Sequence, residues 1–174
     1  SMITGLQEKG VTACLKHFPG IGSTTADTHN GLASTSRTAE EFRSQEFEVF
    51  KVGIEAGVQM IMVGHVNVPA LDDDNNPASM SKAVITDMLR GELGYDGVII
   101  TDALNMSAIS QYYSSEQAAI MALKAGCDML LMPEDFLQAY AGVMAAVADG
   151  TISEQRVNDS LKRIYRIKYA DAVK

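Results

Sequence analysis

Apolar positions along the chain fall into two patterns. Four short apolar runs stand out, three of them nearly continuous: residues 11–15 (VTACL), 58–63 (VQMIMV), 97–101 (GVIIT) and 127–132 (CDMLLM). Such runs are how a parallel strand covered on both faces reads, whereas a half-exposed strand alternates. Between and after them, apolar residues recur at helical spacing. This predicts helices over about 39–55, 81–94, 115–124, 135–148 and 153–169. Thr38 followed by Glu41 is a capping box, Ser81 is a good N-cap, and Gly57, Gly94 and Gly126 suit helix ends. Ile152, Val157, Leu161, Ile164 and Ile167 give the last helix one apolar stripe. Strand, loop and helix four times over predicts an α/β fold with about four parallel strands. Residues 72–77 (DDDNNP) read as a solvated loop, and no linker divides the span 1–174.

The residues able to do chemistry gather at the ends of the apolar runs. Lys16 and His17 end the first, His65 the second and Asp102 the third, while Glu134 follows the fourth. In β/α folds, ligands bind at the carboxyl ends of the strands. Any one of these residues is equally well explained as a polar side chain where a strand frays, but the set is less so. The opposite edge, marked by Gly10, Gly57, Asp96 and Gly126, reads as lacking a comparable cluster. The loop from 18 to 37 is long, and long loops are usually functional or disordered. It contains Asp27 and His29, two apart, close enough for a carboxylate to fix an imidazole tautomer and support imidazolium. By spacing alone, that pair is more simply a chance surface pair.

Composition narrows the partners. Twenty-two acidic against 14 basic residues give a net charge of −8 over 174 residues. That argues against nucleic acid, which needs a basic face, and against an anionic membrane surface. No apolar run approaches the roughly 20 residues that span a bilayer. No signal-peptide pattern is visible at the first residues. Cys14 and Cys127 both lie in apolar stretches and read as two buried thiols.

Four ordered segments are more specific. KHFPGIG (16–22), ADTHNGL (26–32), MVGHVNVPALD (62–72) and VIITDALNM (98–106) resemble glycoside hydrolase family 3, closest to its NagZ-like β-N-acetylglucosaminidase branch. Ala78-Ser79-Met80-Ser81 and Ala125-Gly126-Cys127-Asp128 add to the likeness. The resemblance implies a (β/α)8 barrel of which this chain is the C-terminal half, without the preceding N-terminal half. It implies retaining hydrolysis of a β-N-acetylhexosaminide, such as a muropeptide or chitin fragment, with no cofactor and no metal. Asp102 matches the nucleophile, His29 the general acid/base and Asp27 its partner. Lys16 and His17 match sugar-binding residues, and His65 lies near that pocket. Ile21 and Ala33 depart from the family pattern, which usually has His and Pro there.

The residue types suit this chemistry, since a retaining glycosidase needs a carboxylate nucleophile and a proton donor. Imidazole, with an unperturbed pKa of about 6.5, exchanges protons near neutrality. Other readings are a β-glucosidase or glycoside phosphorylase of the same family, a Schiff-base aldolase through Lys16, a metal on His17, His65 and Asp102, and a non-catalytic half-barrel. Four strands leave two open sheet edges. The expected partner is therefore the missing half-barrel or a second copy, and the fragment alone is expected to be nearly inactive.

Overall fold

The computed structural model describes residues 1–22, 24 and 33–170. A four-stranded parallel sheet forms its centre. The strands are β1 (Cys14–Phe18), β3 (Met60–Val63), β5 (Val98–Ala103) and β6 (Met129–Leu131), adjacent in that order. Two further short strands, β2 (Ala33–Ser34) and β4 (Val66–Asn67), pair parallel with each other. Strands added in sequence order through right-handed crossovers place their helices on a single face. Ile61, Val63 and Ile99 are buried completely. On the alternate face, Met62 pairs in register with Lys16 on one side and Ile100 on the other, and Ile100 pairs with Met129. The α/β architecture with about four parallel strands is as the apolar runs indicate.

The helices follow from local chemistry. A short N-terminal helix, α1 (Met2–Gln7), was not expected from the pattern. Residues 39–55 are helical throughout, opened by the Thr38–Glu41 capping box. The segment runs from α2 (Ala39–Glu41) through a π-turn (Phe42–Glu46) into α3 (Phe47–Glu55). The π-turn has a visible cause. Phe42 and Phe47 are five apart, and only a wider i→i+5 turn puts that spacing on one face. Both are fully buried, and Phe47 stacks on Phe18 of β1 at 5.4 Å between centroids. The helix expected over 81–94 is π-helical over Ala83–Glu92, with Lys82 at its N-cap. Ser81 still accepts from the Val84 amide at 3.1 Å, so the sequence cue was chemically sound but one residue early. After a single turn, α4 (Ser107–Ser110), comes α5 (Ser115–Ala125), opened by a capping box between Ser114 and Gln117. Gly126 closes it at φ +123, a conformation costly for any residue with a Cβ. The last helices are α6 (Phe136–Ala148) and α7 (Glu154–Lys168).

Several expectations need correction. β1 begins at Cys14 rather than Val11, so Lys16 and His17 lie inside the strand. Cys14 is exposed and only Cys127 is buried. The 72–77 stretch is not wholly solvated, because Asp72 is buried and its Oδ1 accepts from the Asp74 amide at 2.9 Å. The amino edge of the sheet is far from bare. Asp128, just before β6, has a fully buried carboxylate. Its Oδ2 accepts from Arg90 and from the Ile99 amide at 3.0 Å. Its Oδ1 accepts from Ser160 at 2.7 Å and Arg163 at 3.3 Å, with Arg156 at 3.6 Å. Arg163 and Arg166 also grip Asp96, at 3.1 and 2.9 Å, and hold its carboxyl below the usual range. These contacts bolt α7 and the 83–92 helix to the amino ends of β5 and β6.

Candidate active site

The carboxyl rim is built by two irregularities in the sheet. On β1, Lys16 pairs with Met62 and Phe18 with Val63, so His17 is an extra residue with no partner position on β3. On β5, Ile100 pairs with Met129 and Ala103 with Leu131, which sets two residues, Thr101 and Asp102, against Leu130 alone. Such bulges bend a strand end and re-aim its side chains. Thr101 mends the ladder, its hydroxyl oxygen accepting from the Leu131 amide at 3.0 Å.

The two displaced side chains meet across the end of β3. His17 Nε2 lies 3.5 Å from Asp102 Oδ2, and both side chains are about one-fifth exposed (22% and 20%). Gly64 makes room for this crossing. A Cβ there would stand 3.2 Å from the His17 Cβ and 3.5 Å from Ile21 Cγ2. The other oxygen of Asp102, Oδ1, accepts from the Ala103 amide at 2.8 Å. One carboxylate oxygen is thus fixed by its own backbone while the second faces the histidine and the rim. Lys16, one residue before His17, is exposed. Leu15, Lys16, His17, Ile21, Glu46 and Phe50 border a cavity of about 200 Å³ beside this point.

His65 sits differently from the other candidates. It is 1% exposed, and both ring nitrogens have protein partners. Nε2 is 3.0 Å from the Ala103 carbonyl and Nδ1 is 2.7 Å from Ser79 Oγ. Burial pushes its pKa below the ordinary 6.5, opposed by the Ala103 carbonyl and the charge of Asp102. A metal on His17, His65 and Asp102 therefore has no free nitrogen of His65 to use. Among the described residues no three His, Cys, Asp or Glu side chains gather as a metal-binding group.

Asp27 and His29 lie outside the described residues. Both ends of their loop are fixed at this rim. Thr24 Oγ1 donates to the Ile21 carbonyl at 2.9 Å. On the return side, Ala33 and Ser34 pair with Val66 and Asn67, directly after His65. Arg37 and Glu46 form an ion pair at 3.1 Å just beyond. Ile21 and Ala33, the departures from the family pattern, are the apolar footings of the loop: Ile21 packs against the core and Ala33 is 1% exposed. Glu134, beyond β6, is exposed and lies apart from these contacts. Sequence reasoning did not single out Ser79 or Gly64. The Ala-Ser-Met-Ser segment was a signal for the first, whereas a single glycine after an apolar run signals little.

Among known proteins, a beta-hexosaminidase A from Pseudoalteromonas piscicida is 33% identical over 97% of this chain and 31% of its own length. A beta-hexosaminidase from Chromobacterium violaceum is 38% identical over 83% of this chain and 40% of its own. The solved structure of a glycoside hydrolase family 3 beta-N-acetylglucosaminidase from Paenibacillus sp. superposes with a TM-score of 0.94 at 40% identity, over 98% of this chain and 33% of that one. A beta-glucoside phosphorylase, BglX, superposes with a TM-score of 0.88 at 25% identity, over 94% of this chain and 31% of that one. The chain thus spans about a third of the length of these relatives. The family profile described as the glycosyl hydrolase family 3 N terminal domain matches residues 1–167, and the chain belongs to that family.

Proposed function

We propose that this chain carries the reacting rim of a retaining β-N-acetylhexosaminidase. The carrying observation is the Asp102 carboxylate, raised on a bulge, with Oδ1 held by the Ala103 amide and Oδ2 directed to the open rim beside His17. A carboxylate so held is oriented before substrate arrives, and orientation is a large part of such catalysis. In the first step Asp102 attacks the anomeric carbon and forms a glycosyl ester. The glycosidic C–O bond breaks, and the leaving oxygen takes a proton from the His29 imidazolium, which Asp27 supports. In the second step water attacks the same carbon, gives its proton to His29 and releases Asp102. Lys16 and His17 hydrogen-bond hydroxyls of the sugar. The relatives' names as hexosaminidases favour an N-acetylglucosaminide as substrate. The likeness to a phosphorylase favours one alternative, phosphate in place of water as acceptor, because a histidine acid/base presents no second carboxylate to repel an anion.

Another half-barrel completes the working site, either the N-terminal half of the same enzyme or a second copy. Among the described residues, β1 and β6 are both open sheet edges. Beside β6, Met132, Phe136, Leu137 and Tyr140 are exposed; Val11, Val49 and Val52 are exposed on segments flanking β1. Parallel strands are stable when covered on both faces and edges, so these surfaces call for further β/α units.

The decisive experiment is trapping with a 5-fluoro N-acetylglucosaminyl fluoride, followed by peptide mapping. In the completed barrel the label is expected on Asp102. In the chain alone, labelling should be at least ten times slower. A label on another carboxylate, or equal rates in the two preparations, overturns the corresponding half of the reading.

A further inference from the structure

Ser79 has no part in the chemistry above, yet it is fully buried in a single 3-10 turn (Ala78–Met80), with its hydroxyl against His65. The direction of each hydrogen bond in this group follows from what each atom is able to do. The Ala103 carbonyl oxygen only accepts, so His65 Nε2 must carry a hydrogen and donate to it. Burial disfavours the charged ring and outweighs the opposing charge of Asp102, so the ring is taken as neutral and Nδ1 keeps a lone pair. The Ser79 hydroxyl therefore donates to Nδ1 at 2.7 Å. In the other tautomer, two lone pairs would face each other between Nε2 and the carbonyl. The Ala103 carbonyl, which only accepts, selects against that arrangement, and the Ser79 hydroxyl anchors the opposite side of the ring.

The residue held at the far end of this chain of contacts is Ala103. Its carbonyl is fixed by His65, and its amide fixes Oδ1 of Asp102. It is also the residue at which β5–β6 pairing resumes, with Leu131, directly after the irregularity that carries Asp102. The geometry points to Ser79 as a positioning residue, which anchors the His65 ring and so fixes the Ala103 backbone and thereby the Asp102 carboxylate. The inference rests on the reading of Asp102 as nucleophile.

A double-mutant cycle in the completed barrel tests it. Ser79→Ala is expected to lower kcat by roughly 10- to 100-fold, the scale of a small misplacement of a reacting group, with KM unchanged. His65→Gln places a side-chain N–H near the position of Nε2 and should retain more activity than His65→Leu. In the His65→Gln background, Ser79→Ala should have no further effect on kcat, because the ring it anchors is gone. Nitrogen-15 spectra of the His65 ring in the unmutated protein should show a protonated Nε2 and an acceptor Nδ1 from pH 6 to 8. Equal kcat for Ser79→Ala, full additivity of the two changes, or a proton on Nδ1 each overturns the inference. Failure to label Asp102 in the trapping experiment overturns the glycosidase reading instead, while the ring spectrum still decides the Ser79–His65 arrangement.

Discussion

Asp102 and Asp128 belong to neighbouring strands, one near the carboxyl end of β5 and the other just before the amino end of β6. Asp128 has its carboxylate completely buried and receives hydrogen bonds from two arginines, a serine and a backbone amide, with a third arginine at 3.6 Å. Nothing is left for a ligand. Asp102 has one oxygen tied to its own backbone and the other turned to a partly exposed histidine. The same side chain is a structural rivet in one place and, in the function proposed above, a reactive group in the other. What separates them is whether the lone pairs are already filled. Burial at the amino rim demands full pairing, since removing one partner strands an uncompensated charge. The carboxyl rim keeps water access and one unfilled oxygen, as the strand-end rule for β/α folds anticipates.

Exchanging the two aspartates' fates is the strongest way to break this contrast. In the completed barrel, Asp102→Asn is expected to lower kcat by roughly 10⁴-fold or more, with a thermal midpoint within about 2 °C of the parent. Asp128→Asn is expected to do the reverse. It should cost about 3–5 kcal/mol in urea unfolding, because three arginines lose their common anion, while kcat measured well below the transition changes little. Activity lost with Asp128 at unchanged stability would erase the distinction.

A finer test concerns the crossing of β3. Gly64→Ala places a methyl carbon 3.2 Å from the His17 Cβ, so His17 must shift by a few tenths of an ångström. We expect a loss of about tenfold in kcat/KM, with the Asp128 cluster and the unfolding free energy nearly untouched. Parent-like kcat/KM would mean that the His17–Asp102 contact is incidental.

The smallest effect is a pH dependence. Burial holds His65 below its ordinary 6.5, so in acid the unfolded chain takes up a proton that the native ring refuses. Its contribution to stability is complete above about pH 6.5 and is lost as pH falls toward the lowered native value. His65→Gln should therefore reduce the fall in melting temperature between pH 7 and pH 5. An unchanged or steeper fall would show that the ring accepts its proton in the folded state.

Much of the scaffold was legible in the residues. Continuous apolar runs gave four parallel strands in sequence order, and Thr38, Asp135 and Ser153 cap helices as their side chains suggest. The bulges at His17 and Asp102 were not legible, because a one-residue offset between strands leaves no mark on the hydrophobic pattern of either. The amino-rim cluster was missed for a related reason. Arg90 with Asp96, Asp128, and Arg156 with Arg163 come from three separate parts of the chain, and the hydrophobic pattern does not show that they meet. The resemblance set His65 near the sugar pocket; its contacts to the Ala103 carbonyl and to Ser79, fourteen residues later, leave no mark on the local pattern.

The extra residue on β1 and the uneven count at the end of β5 have a consequence for how this rim tolerates change. Deleting one residue at either point would restore an even ladder and swing every side chain beyond it to the opposite face of the sheet. The connecting segments are free to lengthen or shorten between relatives, since they leave strand parity alone. Length variation in this part of the family is thus expected to stop at the boundaries of 16–18 and 100–103, where a single-residue gap disarms the rim while leaving the helical layer in place.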